Sequence, residues 1–212
     1  MSLKIHTIPV TAFMQNCCIL WDSITRDCVI SDLGGKVEEV LAFIQTQGLR
    51  LKAVWLTHGH LDHVMGVAQL MHDQPEVEVL GPHQDDLFWL QQLTHTAQLF
   101  GFPPAETFTP TRWLKENDIL TIGSYSFTVL KISGHSPGHV VFYSKQAQLL
   151  IAGDVLFLNS IGRSDLPGGN HEVLVQQIKQ KLLTLPEATQ VITGHGPFTT
   201  IGQEKRHNPF LQ

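Results

Sequence analysis

Four side chains that can bind a metal ion lie within one short stretch, Thr57-His58-Gly59-His60-Leu61-Asp62-His63. The apolar residues 53–56 precede it and are typical of a β-strand, so a rigid element would present the stretch as a loop. Because residues i and i+2 of an extended chain face the same way, His58 and His60 are predicted to converge on one cation. Asp62 and His63 follow a turn and are predicted to face a neighbouring cation. The alternative, a surface loop that is rich in histidine by chance, is disfavoured by four donors at this spacing.

Three later segments add donors at the ends of strand-like stretches. Gly134-His135-Ser136-Pro137-Gly138 and Gly194-His195-Gly196-Pro197 each offer one imidazole on a turn, and Ala152-Gly153-Asp154 offers a carboxylate. Taken singly, each could instead cap a turn. A carboxylate has two oxygens, so Asp154 is our candidate for a bridge between two metals. Nitrogen and oxygen donors without thiolate suit zinc, iron or manganese.

One competing interpretation uses the same region. Gly134–Gly138 matches the G-x-S-x-G pattern, and Ser136, Asp154 and His195 follow one another in the order of an α/β-hydrolase triad. That motif requires a backbone N–H after the serine, and Pro137 has none. The histidine-rich stretch would also stay unexplained, so a serine hydrolase is disfavoured.

Strand-like segments followed by helical periodicity occur twice along the chain. Helices are predicted over residues 37–44, 64–71 and 85–100, where the acidic pair Asp85-Asp86 suits a helix start, and over 172–185 in the second half. This pattern predicts two β-sheets packed face to face with helices outside. We expect residues 1–212 to form a single domain. A doubly wound nucleotide-binding fold is disfavoured because no glycine-rich fingerprint follows the first strand.

The composition excludes several classes of protein. The chain has 212 residues, 42% of them hydrophobic and 16% charged, which suits a packed core, and its net charge of -5 disfavours a nucleic-acid binder. The chain has three cysteines, Cys17, Cys18 and Cys28, all in strand-like segments. Because their number is odd and two of them are adjacent, we expect buried free thiols rather than disulfides. No signal peptide and no membrane span are predicted, and a cytoplasmic location is expected.

The order of these motifs resembles the metallo-β-lactamase superfamily. H-x-H-x-D-H, then G-H-S-P-G-H, then G-D, then G-H-G occur between residues 58 and 195. The resemblance implies an α/β fold, the four-layer αβ/βα sandwich, with the site at one edge of the two sheets. It implies that one metal is held by His58, His60 and His135, and a second by Asp62, His63 and His195, with Asp154 between them. His139 matches a position that supports the site rather than binding metal.

Within the superfamily, the chain most resembles the short form of glyoxalase II, the hydroxyacylglutathione hydrolases. Residues 9–17, 161–165 and 205–210 carry this likeness. It implies hydrolysis of glutathione thioesters such as S-lactoylglutathione, a step in methylglyoxal detoxification. It also implies that a hydroxide between two divalent metal ions attacks the thioester carbonyl. Zinc is favoured over iron or manganese. Asp62 and Asp154 would hold the ions and orient the nucleophile.

One departure concerns the C-terminal helical domain that helps long glyoxalase II enzymes to bind glutathione. Only 17 residues follow His195, so we expect no such domain and carry over no glutathione-binding residues. Lys205 and Arg206 are the nearest cations, although a solvated tail is the simpler interpretation.

Three other functions remain open from the sequence. A persulfide dioxygenase would use one iron held by His58, His135 and Asp154. A hydrolase of the same fold could act on another ester or on a lactone. A non-catalytic metal-binding protein is disfavoured by the complete set of donors. β-Lactamases of the commonest class have cysteine where Asp154 stands.

Overall fold

The computed structural model describes residues 2–212. Its first sheet has five strands in the order of the chain: β1 (Leu3–Val10), β2 (Gln15–Asp22), β3 (Asp27–Ser31), β4 (Arg50–Trp55) and β5 (Glu78–Leu80). The first three strands are antiparallel. The last three are parallel, so their carboxyl ends lie at one edge of the sheet.

The second half of the chain forms the other sheet. Its strands are β6 (Ile119–Ile122), β7 (Tyr125–Lys131), β8 (Val140–Ser144), β9 (Leu149–Gly153), β12 (Gln190–Thr193) and β13 (Thr199–Thr200), in the spatial order β13-β12-β9-β8-β7-β6. The pair β9 and β12 is parallel, and the other pairs are antiparallel. A short ribbon of β10 (Leu156–Phe157) and β11 (Ser160–Ile161) stands apart.

Helices follow the strands in both halves. They are α1 (Val37–Thr46), α2 (Leu61–Val64), α3 (Val67–Asp73), α4 (Leu87–Gln91), α5 (Leu93–Phe100), α6 (His171–Gln177) and α7 (Ile201–His207). Within residues 2–212, no helix combines the length and the apolar character that crossing a membrane requires.

The two sheets enclose a central aromatic layer. Trp55 on β4 contacts Phe127 on β7 and Phe142 on β8, with ring centroids 5.2 and 5.3 Å apart. All three side chains are fully buried. Truncating an aromatic residue in such a core costs about 3–5 kcal/mol of folding stability. This layer therefore fixes how the two sheets, and the loops at their edges, face each other.

Two further hydrophobic layers complete the molecule. Val40 of α1 and Leu70 of α3 pack in the layer outside the first sheet. Leu174 of α6 and Ile201 of α7 pack in the layer outside the second sheet. The order helix, sheet, sheet, helix confirms the predicted four-layer αβ/βα sandwich. The three cysteines are free and buried, as expected.

Two predicted helices are interrupted, and the helix predicted over 172–185 continues after α6 as the π-helical segment Ile178–Leu182. The helix predicted over 64–71 begins earlier and divides into α2 and α3 near Gly66, whose N–H donates to the Leu33 carbonyl at 3.0 Å. A Cβ at Gly66 would lie 2.8 Å from Cγ2 of Val37, so the break allows a close backbone approach. The helix predicted over 85–100 starts as a 3-10 turn, Gln84–Asp86, and divides again between α4 and α5.

Candidate metal centre

The histidine-rich loop joins β4 to α2 at the edge where the two sheets meet. His58 and His63 are fully buried, and His60 precedes the first residue of α2. His58 and His60 face one group of donors, whereas Asp62 and His63, on α2, face another. This division is the one predicted from the spacing, because the chain changes from extended to helical after His60.

The first group is made of three imidazoles. One nitrogen from each of His58, His60 and His135 lies within 4.8 Å of the other two. Nε2 of His135 is 3.2 Å from Nε2 of His58. Nε2 of His60 is buried and has no hydrogen-bond partner among residues 2–212. A buried polar atom without a partner is costly, so this nitrogen points to a ligand.

The second group is made of Asp62, His63 and His195, whose donor atoms also lie within 4.8 Å of one another. Nε2 of His195 is 3.2 Å from Oδ2 of Asp62 and 3.3 Å from Nε2 of His63. These separations suit donors that converge on a common point between them.

Asp154 follows the last residue of β9 and lies between the two groups. Its carboxylate oxygens are 3.2 Å from Nε2 of His63, 3.5 Å from Nε2 of His195 and 3.7 Å from Nε2 of His135. A Cβ at Gly194 would lie 2.0 Å from Oδ1 of Asp154, so only glycine fits beside this carboxylate. The structure thus brings together all seven side chains that the sequence singled out.

The outward nitrogen of each of four imidazoles is held by another group. Nδ1 of His63 is 3.0 Å from Oδ2 of Asp32, and Nδ1 of His58 is 3.0 Å from Oγ1 of Thr57. Nδ1 of His135 donates to the Arg163 carbonyl at 2.7 Å, and Nδ1 of His195 donates to the Phe13 carbonyl at 2.9 Å. Such contacts fix the tautomer that leaves Nε2 free for a cation. The residues involved are His58, His63, His135 and His195, with Asp32, Thr57, Arg163 and Phe13.

His139 supports the centre from one side. Its ring stacks on that of His58, with centroids 4.7 Å apart, and its Nε2 accepts a hydrogen bond from the backbone N–H of Asp154 at 3.1 Å. It belongs to neither donor group, which agrees with the supporting position expected for it.

The two groups differ in their affinity for protons. Burial lowers the pKa of His60 to about 3 and also lowers that of His58 and His135, so the first group is neutral. Burial alone would lower the pKa of His195, but hydrogen bonds to Asp154 and Asp62 outweigh it and raise the value to about 10. The nearby carboxylates likewise raise the pKa of His63 against the effect of burial.

This donor set fits a pair of divalent cations. Neutral imidazoles and carboxylates are the ligands that zinc and similar metals prefer, and two compact groups share one carboxylate between them. The fold and this cluster of histidine and aspartate imply divalent metal binding.

Two acidic residues near the centre escaped the sequence analysis. Asp32 follows the last residue of β3, accepts from Oγ1 of Thr57 at 2.7 Å and also contacts His63. Asp86, expected to start a helix, is fully buried and accepts from Gly59 and Ser136. Neither sequence neighbourhood signals a buried carboxylate, because the partners are distant in the chain.

Ser136 is not placed as a nucleophile. Its side chain is fully buried, and its hydroxyl donates to Oδ2 of Asp86 at 2.7 Å. The hydroxyl is therefore held away from the cleft by a partner outside the proposed Ser136, Asp154 and His195 triad, which removes the serine-hydrolase alternative.

A cleft of about 210 Å³ opens over the donor groups. Apolar side chains form much of its wall, namely Phe13, Leu61, Trp89, Phe100 and Leu166. The lining also includes Arg163, whose guanidinium is paired with Asp165 at 2.8 and 2.9 Å. The cleft suits an organic substrate with apolar parts.

Comparison with known proteins places the chain in a family. The model of the metallo-beta-lactamase superfamily matches residues 10–195. The hydroxyacylglutathione hydrolase GloC of Haemophilus influenzae is 44% identical over 210 residues, which cover 99% of this chain and 98% of that protein. The crystal structure of the BLEG-1 B3 metallo-beta-lactamase superposes with a TM-score of 0.90 at 38% identity, covering 99% of this chain and 100% of that one.

A second solved structure is similar over nearly the same length. TTHA1623 in a di-iron-bound form has a TM-score of 0.88 and 37% identity, and the match covers 97% of this chain and all of that one. These matches agree with the sandwich fold and with the order of the motifs. The chain belongs to the metallo-β-lactamase superfamily.

Proposed function

We propose that this enzyme hydrolyses glutathione thioesters such as S-lactoylglutathione. The observation that carries the proposal is the pair of complete donor groups with Asp154 between them, at the base of a cleft that Arg163 borders. The similarity to the GloC hydroxyacylglutathione hydrolase supports the choice of substrate.

His58, His60 and His135 would hold one cation, and Asp62, His63 and His195 would hold the other, with Asp154 shared. Zinc is our first choice, with iron or manganese as alternatives, because nitrogen and oxygen donors accept all three. When bound, such a pair lowers the pKa of water towards neutrality and polarises a carbonyl oxygen.

The protein's own groups contribute orientation and charge. Asp62 keeps its negative charge because the neighbouring His63 lowers its pKa in spite of burial, so its carboxylate accepts a hydrogen bond from water rather than donating one. The same holds for Asp154, whose pKa also falls well below its usual range because of His63. The two carboxylates therefore fix how an attacking water presents its lone pair.

Substrate binding falls to the cleft walls. Phe13, Trp89 and Phe100 would exclude water from the acyl group, and the guanidinium of Arg163 would meet a carboxylate of the glutathione part. The leaving group is a thiol with a pKa of about 8.5, so it departs as a thiolate without a dedicated acid. The hydrolysis of a thioester therefore requires no general acid in the site.

The test compares substrates on metal-loaded protein. We expect hydrolysis of S-lactoylglutathione that a chelator abolishes and that added metal restores. Oxygen uptake on glutathione persulfide, with one iron per chain, would instead support the dioxygenase. If a lactone, another ester or a cephalosporin is hydrolysed and the thioester is not, the proposed substrate is wrong but metal-dependent hydrolysis still holds.

A further inference from the structure

A buried carboxylate links the two loops that carry the three-histidine group. Gly59 separates His58 from His60, and the turn Gly134–Gly138 carries His135. Asp86 comes from a different segment, immediately before α4, and its side chain lies between the two loops with no exposed surface.

Each oxygen of this carboxylate is engaged. Oδ2 of Asp86 accepts from the N–H of Gly59 at 2.9 Å and from Oγ of Ser136 at 2.7 Å. Oδ1 accepts from the N–H of Gly138 at 2.5 Å. One donor thus comes from the loop of His58 and His60, and two come from the turn of His135.

The backbones around this carboxylate are packed too closely for larger residues. A Cβ at Gly138 would lie 2.5 Å from the backbone nitrogen of Asp86 and 2.6 Å from the His83 carbonyl oxygen. A Cβ at Gly59 would lie 2.9 Å from Cβ of Trp89. The two glycines let both loops approach Asp86 directly, so the three segments form one rigid unit.

Among residues 2–212, the charge of Asp86 is compensated by neutral donors alone. Burial raises its pKa to about 6 in spite of three hydrogen bonds. Keeping a carboxylate buried without a cation is costly, and a packed apolar side chain would fill the space at lower cost. What the carboxylate provides is a fixed distance between two loops, since it binds both at once.

We propose that Asp86 is a positioning residue that sets the separation of His58 and His60 from His135 and so prepares these histidines for a cation. The inference rests on the proposed role of the three histidines as ligands but not on any substrate. It concerns metal affinity, so failure of the thioesterase assay would leave it standing.

An amide cannot replace this carboxylate. If the NH₂ group of an asparagine took the place of Oδ1, it would face the N–H of Gly138, and if it took the place of Oδ2, it would face the N–H of Gly59. Either orientation sets donor against donor and frees one loop. Asp86→Asn therefore removes the link without changing the size of the side chain.

Asp22 offers a matched control at another place in the fold. It is also buried, and its Oδ2 accepts from the N–H of Ser124 at 3.0 Å and from Oγ of Ser124 at 2.8 Å, so it too joins two distant segments. Asp22 is absent from the donor groups and from the lining of the cleft.

The experiment measures cobalt(II) binding to the metal-free protein by its visible absorption, which reports ligand geometry. We expect Asp86→Asn to weaken cobalt binding at the three-histidine group about 10- to 100-fold and to change its spectrum, as is usual when a support of a metal ligand is lost. Asp22→Asn should lower the unfolding temperature but leave cobalt affinity and spectrum unchanged.

A milder pair covers the case in which Asp86→Asn does not fold. Ser136→Ala removes one hydrogen bond from Asp86, and Ser124→Ala removes the equivalent bond from Asp22. We expect weaker cobalt binding only for Ser136→Ala. Wild-type cobalt affinity and spectrum in both Asp86→Asn and Ser136→Ala, or an equal loss of affinity in the control variants, would overturn the proposal.

Discussion

His195 donates a hydrogen bond from Nδ1 to the carbonyl oxygen of Phe13, 2.9 Å away and 182 residues earlier in the chain. The contact joins the turn between β1 and β2 to the loop after β12. Asn16 reinforces it, since its side-chain amide donates to the carbonyls of Thr193 and Gly196, at 3.0 and 2.9 Å, on either side of His195. Residues of the N-terminal half thus hold His195, a candidate metal donor, on a loop of the C-terminal sheet.

Asn16→Ala should selectively weaken the donor group that contains His195. Without the amide, the carbonyls of Thr193 and Gly196 lose their hydrogen-bond partner. The loop between them can then move and displace His195 from the other donors of its group. We expect metal affinity at that group to fall about 10- to 100-fold, the usual effect of losing such a support. Metal analysis after gel filtration should find about one cation per chain instead of two.

The control for Asn16 is Asn208, which is also buried and also holds a loop, donating to the Ser160 carbonyl at 2.9 Å. Asn208→Ala should lower stability while the metal content stays at two. Two tightly held cations in Asn16→Ala would show that the hairpin does not position His195.

Filling the two donor groups should release different numbers of protons. At pH 8 the first group is already neutral, because the pKa of His60 is about 3 and those of His58 and His135 are also lowered. The second group holds protons on His195, with a pKa of about 10, and on His63, and a cation must displace them.

Calorimetric titration of the metal-free protein in buffers of different ionisation enthalpy measures this difference. We expect almost no proton release in one binding step and release in the other. Affinity in the proton-releasing step should rise with pH up to about 10, while affinity in the other step should stay constant from pH 8 upwards, because the pKa values of its three histidines are all lowered. Equal proton release in both steps contradicts the assignment of charges.

Phe13 is expected to contribute to substrate binding through its exposed ring. The ring lines the cleft, is 49% exposed and contacts Phe102 with centroids 5.0 Å apart. If a substrate covers about 50 Å² of it, Phe13→Ala loses about 1.3 kcal/mol, which corresponds to about a tenfold rise in KM. The kcat should stay nearly constant, because the backbone carbonyl that holds His195 is kept.

Phe198→Ala is the matched control for Phe13, since Phe198 is 44% exposed and lines a different groove. Steady-state kinetics with S-lactoylglutathione should give wild-type constants for it. An unchanged KM in Phe13→Ala would mean that the substrate does not reach this wall.

Asp154→Ala should remove most of the bound metal and most of the activity. The carboxylate contacts donors of both groups, so neither cation keeps its full set of ligands without it. Metal analysis and steady-state assays on the purified variant check this. Two metals with near-normal turnover in Asp154→Ala would rule out a bridging role.

The convergence of the candidate donors could be predicted from sequence because much of their signal is local. His58, His60, Asp62 and His63 follow a strand within one loop, and the short spacing restricts where their side chains can point. Further donors at strand ends, His135, Asp154 and His195, repeat the pattern. Together with the two runs of strands and helices, they predicted the fold as well.

The supporting residues could not be predicted because their partners are far along the chain. Asp85-Asp86 reads as the acidic start of a helix, and only the tertiary approach of Gly59 and Gly138 buries Asp86. Asn16 lies within residues 9–17, which resemble short-form glyoxalase II, but the sequence gives no physical reason for an asparagine at this position. Its contacts around His195 now supply that reason.

Anomalous X-ray scattering from crystals of the purified protein tests the pair of cations most directly. We predict two peaks, one about 2.0–2.2 Å from nitrogens of His58, His60 and His135 and the other equally close to Asp62, His63 and His195, with Asp154 between them. A single peak held by His58, His135 and Asp154, with His63 and His195 unliganded, would contradict the account.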